Sequence, residues 1–251
     1  MATADPLEPI RRAPASSVIL VDFDGTLAPI VDEPADARPE AGAVELLMDL
    51  RDRYAAVVVI SGRPLDFLAT VLPPELSLVG LYGLEGADSG ERWEFSGAGA
   101  WREAVADVAG SLADAGLEHM RIENKGLSLT LHYRGHPDIA PDVDALARSR
   151  AQRAGLVVRP ARMSIELHPP IDSDKGTVVD RYAAGAEAAM YAGDDVGDLT
   201  GFDALDRLAR RGVRTVRVAV GSAEAPPALL EHADVVVGSP LELVGLLSTL
   251  R

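Results

Sequence analysis

The chain contains no cysteine, which excludes disulfides and thiolate chemistry. It is also poor in lysine: of 24 basic residues only Lys125 and Lys175 are lysine, and the rest are arginine. No apolar run approaches the ~20 residues of a membrane span. The opening MATADPLEPIRRAPASS lacks the apolar stretch of a signal peptide. These absences point to a cytoplasmic protein without a membrane partner. Positive charge is short as well. The 24 basic residues face 39 acidic ones, a net of −15, which argues against nucleic acid or an anionic membrane surface as partner. A small anionic substrate stays open, because screening over ~8 Å lets local charge decide what enters a pocket. The sequence leaves the oligomeric state open, with a monomer favoured.

What is present is patterned. The 251 residues, 47% of them apolar, suffice for one large domain or two modest ones. The organising stretch is SVILVDFDGTL from Ser17: an apolar run without alternation, then Asp22 and Asp24 flanking Phe23, then Gly25-Thr26. Such a run predicts a strand buried on both faces in the middle of a parallel sheet, with the acids at its C-terminal end. In open α/β sheets ligands bind at that edge, and Gly25 lets the chain turn and present N–H groups to an anion. Taken alone, the stretch also reads as an Asp-Gly hairpin turn.

Residues 1–16, with Pro6, Pro9 and Pro14, read as a loose arm. Pro39 marks an expected helix start that leads into a helical spacing through Val44, Leu47 and Leu50 or Arg51. A second buried strand, Ala56 to Ile60, ends in Ser61-Gly62-Arg63, with Pro64 expected at the first helical position. A small hydroxyl and N–H groups at a helix start can hold an anion, although Ser61 also reads as a plain N-cap. A further short strand falls within Leu76 to Gly86.

From about Gly97 to His168 the pattern changes. Trp101, Val105, Val108 and Leu112 mark an amphipathic helix. MRIENKGLSLTLHYRG then reads as a hairpin turning near Asn124-Lys125-Gly126. In its second arm Leu127, Leu129, Leu131 and Tyr133 alternate with Ser128, Thr130, His132 and Arg134. A helix over Asp142 to Ala154 and strands near Leu156 to Arg159 and Arg162 to His168 follow; in the last, Met163, Ile165 and Leu167 alternate with Ser164, Glu166 and His168. This predicts an antiparallel α/β layer with one polar face, inserted into the first. The first pattern returns with Asp172-Ser173-Asp174 as helix caps, Lys175-Gly176 opening a helix through Tyr182, and AAMYAGDDVGD as a buried strand ending in Asp194, Asp195 and Asp198. A helix over Thr200 to Arg211, strands over Thr215 to Val220 and Asp234 to Val237, and a helix over Leu241 to Leu250 complete the chain. The expected fold is a doubly wound parallel sheet, Rossmann-like, over residues 1–96 and 169–251, with an antiparallel α/β cap over residues 97–168.

Four strand ends or helix starts thus each carry a group suited to phosphate chemistry: Asp22/Asp24, Ser61, Lys175 and Asp194/Asp198. Their order, as DFDGT, SGR, DKG and GDDVGD, resembles the haloacid-dehalogenase-like phosphatase superfamily, which often carries a cap between its second and third motifs. Within it the chain looks like the trehalose-6-phosphate phosphatases, on DFDGTLAPI, ENKGLSLTLHYR, IELHPP before DKG, and the GDD form of the last motif. Gly197 stands where that family usually has Thr, so other sugar or pseudo-sugar phosphates stay open as substrates.

The resemblance implies roles. Asp22 would be the nucleophile, forming a phosphoaspartyl intermediate, and Asp24 the general acid and then base. Ser61 and Lys175 would hold the phosphate. Mg²⁺ would sit on Asp22, the Asp24 carbonyl, Asp194 and Asp198, the last through water. Carboxylates facing a phosphate repel it, and all-oxygen ligands favour Mg²⁺. Glu123, Lys125 and Glu166 match residues implicated in holding the disaccharide. Gly62, Arg63, His132 and Arg134 are further substrate-binding candidates. Two other classes share parts of this pattern. A receiver-type signalling module has the phosphoacceptor Asp, Ser/Thr and Lys, but neither the second acid two positions on nor the insert. A phosphomutase would transfer phosphate between sugars without net release.

Overall fold

The apolar run ending in Asp22 forms β1 (Ser17–Asp22), with all six residues buried. The computed structural model describes residues 5–31, 33–113, 117–161, 163–222 and 225–251. Two compact units make up the chain: Met1–Trp93 with Ser173–Arg251, and Glu94–Asp172.

In the first unit, α1 (Glu8–Arg12) precedes β1, where a loose arm was expected. Leu7 and Ile10 are fully buried, which is why this segment packs rather than trails. The first four residues of that expected arm lie outside the described residues. Then come α2 (Ala43–Arg51), β2 (Ala56–Ile60), α3 (Leu65–Val71), β3 (Ser77–Gly80), β4 (Glu85–Asp88) and β5 (Glu91–Glu94). Two helix starts differ from expectation. α2 begins after a left-handed Gly42, beyond Pro39. Pro64 immediately precedes α3, its ψ of 148° being extended rather than helical. The short strand expected within Leu76 to Gly86 is β3, and β4 is an addition to it.

The second unit holds α4 (Arg102–Ala113), β6 (Arg121–Asn124), β7 (Leu129–His132), α5 (Ala140–Ala154), β8 (Val157–Ala161) and β9 (Ser164–His168). Its sheet is antiparallel in the order β6-β7-β9-β8. Leu129, Leu131, Ile165 and Leu167 face a core with Val105, Val108 and Val143 from the two helices. β9 begins at Ser164, and Arg162, with which its strand was expected to start, lies outside the described residues. Arg134 lies beyond β7 in an exposed turn, so the alternation expected to reach it ends at His132.

The chain returns to the first unit with α6 (Lys175–Tyr182), β10 (Ala188–Gly193), α7 (Leu199–Ala209), β11 (Arg214–Val220), α8 (Pro227–His232), β12 (Val235–Val237) and α9 (Pro240–Ser248). The large sheet runs β12-β11-β10-β1-β2-β3-β4-β5. From β12 to β3 it is parallel, and β4 turns back antiparallel. Side-chain alternation divides each central strand between two cores. Ile19, Val21, Val57, Val59 and Met190 enter one core, whereas Val18, Leu20, Val58, Ile60 and Tyr191 enter the other. Such burial on both faces explains the unbroken apolar runs. β1 lies between β10 and β2, so the strand order reverses beside it, and in open α/β sheets the C-terminal ends of the strands at such a point are where ligands bind. No helix among the described residues is long and apolar enough to cross a membrane.

Candidate active site

At that switch point β1 delivers Asp22 and β10 delivers the loop with Asp194, Asp195 and Asp198. α6 delivers Lys175 at its first position. Its start is fixed by a reciprocal cap: Asp174 Oδ1 accepts from Thr177 N at 2.7 Å, and Thr177 Oγ1 accepts from Asp174 N at 3.0 Å. The buried ammonium of Lys175 donates to Asp22 Oδ1 at 2.8 Å and to Asp198 Oδ1 at 2.6 Å, tying two separate elements together.

Asp198 organises the loop. Its Oδ1 also accepts from the Tyr191 hydroxyl. Its Oδ2 accepts from the backbone N–H groups of Asp194 at 2.9 Å and Asp195 at 3.0 Å. Four donors thus already converge on its two oxygens, which disfavours direct metal contact. Asp194 is held differently, by Thr26 Oγ1 donating to its Oδ1 at 3.1 Å. Gly25 makes this approach feasible: its φ is +82°, and a Cβ there would fall inside the Asp194 carboxylate. Gly193 gives Asp198 the same clearance.

Ser61 follows β2 and is buried, with Oγ accepting from Arg63 N at 3.0 Å. Arg63 is turned to Asp24. Its Nε and Nη2 donate to Asp24 Oδ2 and Oδ1 at 2.9 and 2.7 Å, its Nη1 donates to the Pro34 carbonyl at 2.9 Å, and its guanidinium lies 4.6 Å from the Phe67 ring centre. This planar two-point grip suits arginine and not lysine. Gly62 lies under the Tyr82 ring, where a Cβ would collide with the phenol.

Charge at the switch point is unbalanced, with four acids around one ammonium. Burial raises Asp22 well above the usual carboxylate range; Lys175 opposes this and the three other acids add to it. Burial, then Asp198 and Asp195, raises Asp194 to about 7. Asp195 is raised chiefly by burial. Burial also acts on Asp198, but the charge and hydrogen bond of Lys175 and the Tyr191 hydroxyl outweigh it and keep that carboxyl low. For Lys175, burial is outweighed by Asp198 and Asp22, which hold the ammonium charged. A bound cation would relieve the excess. Asp22, Asp194 and Asp198 each present an oxygen within 4.8 Å of the others, a hard all-oxygen set that fits a divalent cation.

The second unit gathers its own polar residues. Glu166 is buried, with Oε1 accepting from Ser128 Oγ at 2.6 Å and lying 3.8 Å from Lys125 Nζ. Glu123 Oε2 lies 2.7 Å from His132 Nε2. Register places Glu123 opposite Thr130, and Thr130 opposite Glu166, on one face. Arg134, in its exposed turn, stands apart from this strand row. The tether from Thr26 to Asp194, the Tyr191 hydroxyl on Asp198 and the burial of Thr130 are roles that the motifs do not assign. Tyr191 does leave a trace, as the single aromatic side chain in AAMYAG, with Gly201 giving its ring room.

The fold is that of the haloacid-dehalogenase-like phosphatases, with a parallel-sheet unit interrupted in sequence by an antiparallel one. The family model for trehalose-phosphatase matches residues 20–231, and the chain belongs to that family. The trehalose-phosphate phosphatase of Mycobacterium avium is 34% identical over 228 residues, 86% of this chain and 55% of that protein. The one from Mycobacterium ulcerans is 35% identical over 199 residues, 74% of this chain and 51% of its own length. The chain thus spans about half the length of the curated relatives it matches. Among solved structures, the C-terminal domain of C. albicans trehalose-6-phosphate phosphatase superposes with a TM-score of 0.79 at 23% identity, covering 98% of this chain and 95% of that one. At that identity the likeness speaks for the fold.

Proposed function

We propose that this chain hydrolyses trehalose 6-phosphate to trehalose and phosphate, dependent on Mg²⁺, by way of a phosphoaspartyl intermediate on Asp22. The observation that carries the reading is the Lys175 ammonium bridging Asp22 and Asp198 at 2.8 and 2.6 Å in a trehalose-phosphatase family member. Uncatalysed phosphate-monoester hydrolysis is slow enough that accelerations reach ~10²¹, whereas a positioned acid or base supplies ~10² to 10⁴. Most of the effect must come from fixed charge and position.

In this reading Asp22 attacks phosphorus and the bond to the sugar oxygen breaks. Asp24 protonates that oxygen, then takes a proton from the water that cleaves the acyl phosphate. The fork of Arg63 orients Asp24 between these steps. Ser61 and Lys175 hold the phosphate oxygens. Mg²⁺, when bound by Asp22, the Asp24 carbonyl and Asp194, supplies charge neutralisation; Asp198, with its four acceptances, acts through water and by fixing the loop. Glu123, Lys125, Glu166 and His132 on the antiparallel sheet serve as the sugar contacts. Gly62 and Arg63 act at the phosphate end, and Arg134 contributes charge from its turn.

The test is phosphate release from trehalose 6-phosphate, sucrose 6-phosphate, glucose 6-phosphate and p-nitrophenyl phosphate, with Mg²⁺ and with excess chelator. A preference of at least about tenfold for trehalose 6-phosphate, ~1.4 kcal/mol in the transition state, is expected together with loss under chelation. Preference for another sugar phosphate would move the substrate assignment. Full activity in chelator would remove the metal. Glu166→Ala should lower trehalose 6-phosphate turnover far more than that of p-nitrophenyl phosphate; equal losses would remove the sugar contact.

A further inference from the structure

Across the antiparallel sheet, hydrogen-bond register aligns Glu123 on β6, Thr130 on β7, Glu166 on β9 and Arg159 on β8 in one row. Residues directly opposite in such pairs share a face and have side chains ~5 Å apart. Thr130 therefore lies between two carboxylates. It is 3% exposed, and its hydroxyl has no hydrogen-bond partner among the described residues. Its neighbours are engaged: Glu166 accepts from Ser128 at 2.6 Å, and Glu123 pairs with His132 at 2.7 Å. A buried hydroxyl without a partner costs stability, and valine would fill the same volume in a strand without that cost. The hydroxyl thus lacks a folding role that its shape alone would not fill.

We infer that the Thr130 hydroxyl is a specificity-determining sugar contact, donating to a ring hydroxyl whose own proton goes to Glu123 or Glu166. The chemistry matches a vicinal diol. Ionised carboxylates only accept, whereas each sugar hydroxyl both donates and accepts, so a row of carboxylates alone leaves the sugar oxygens without donors. Thr130 supplies a neutral donor between the two carboxylates, with the cations Arg159 at the far end of the row and Lys125, 3.8 Å from Glu166, beside it. Glu123 is the more open end of the three, its side chain 32% exposed against 2% for Glu166, so a ring approaching from β6 must displace the side chains that shield the buried Thr130 oxygen. This inference rests on the sugar-phosphatase reading above and assigns it a residue that neither motif nor family likeness singles out.

The test compares wild type, Thr130→Val and Thr130→Ser on trehalose 6-phosphate and p-nitrophenyl phosphate, with melting temperature read alongside. The expected result is a fall of roughly three- to tenfold in the kcat/KM ratio of the sugar substrate over the aryl substrate for Thr130→Val, carried by KM. Thr130→Ser, which keeps the hydroxyl, restores the ratio, and Thr130→Val melts at or above wild type. An unchanged ratio in Thr130→Val overturns the assignment. A lower melting temperature for Thr130→Val does the same, because it reveals a structural hydrogen bond. Failure of the underlying reading is distinguishable, since it appears in wild type as no preference for the sugar substrate, and the Thr130 assignment falls with it.

Discussion

Asp194→Asn is expected to stabilise the metal-free protein while removing its response to Mg²⁺. In the folded state the Asp194 carboxyl titrates at about 7 against an unperturbed 3.8, raised first by burial and then by Asp198 and Asp195. The folded state therefore holds this proton more tightly than the unfolded chain does. Its contribution to stability is complete below the unfolded value of 3.8 and is lost as pH rises through about 7. At ~1.4 kcal/mol per unit, the gap amounts to about 4 kcal/mol between acid and pH ~8. For a chain of this length that is roughly 10 °C in melting temperature. Asparagine keeps the shape and still accepts from Thr26, but never carries the charge. In excess chelator near pH ~8 the variant should melt several degrees above wild type, and the two should converge towards pH ~4. Adding Mg²⁺ to about a hundred times its dissociation constant should raise wild type by ~2.7 kcal/mol and leave the variant nearly unmoved. Thermal melts over this pH range, with chelator and with Mg²⁺, provide the assay. A variant less stable than metal-free wild type at the alkaline end, or a wild-type melt flat with pH, would refute the reasoning.

Three further substitutions probe the geometry. Lys175→Arg should lower turnover on every substrate by about 10²-fold, because a planar fork does not fit between Asp22 and Asp198; steady-state rates near wild type would contradict this. Asp24→Asn should cost the sugar phosphate about 10² to 10⁴ in rate and p-nitrophenyl phosphate less, because the aryl leaving group scarcely needs a proton. Equal losses would assign Asp24 to structure alone. Gly25→Ala should cost on the order of 1–3 kcal/mol in urea unfolding, since its φ of +82° disfavours a side chain and the Cβ would displace Asp194. An unchanged midpoint would mean that the loop accommodates it.

The core of the fold is legible because β1, β2 and β10 are apolar on both faces, and in an α/β chain little else produces such runs. Lys175 stands out for a chemical reason: in an arginine-rich chain a lysine marks a place where a compact charge is needed. The pairing of Arg63 with Asp24 was not legible, since 39 residues separate them and only the register of β1 and β2 brings them together. β5 was hidden by its polar, largely exposed sequence at the sheet edge, Glu91–Glu94. The N-terminal α1 was masked by Pro9 within it and Pro6 and Pro14 around it, while Leu7 and Ile10, which anchor the segment, are too few to show a period. Thr130 was visible as one member of an alternating strand, but its unpartnered hydroxyl is a property of packing and not of sequence.

The central claim, that Asp22 takes the phosphoryl group, is tested most directly by rapid acid quench of enzyme mixed with trehalose 6-phosphate and Mg²⁺, followed by mass spectrometry of the digested chain. The account predicts phosphate on the peptide containing Asp22 in wild type, accumulating before steady state, and none there in Asp22→Asn. Phosphate found covalently on another residue, or undiminished sugar-phosphate turnover by a folded Asp22→Asn protein, would contradict it.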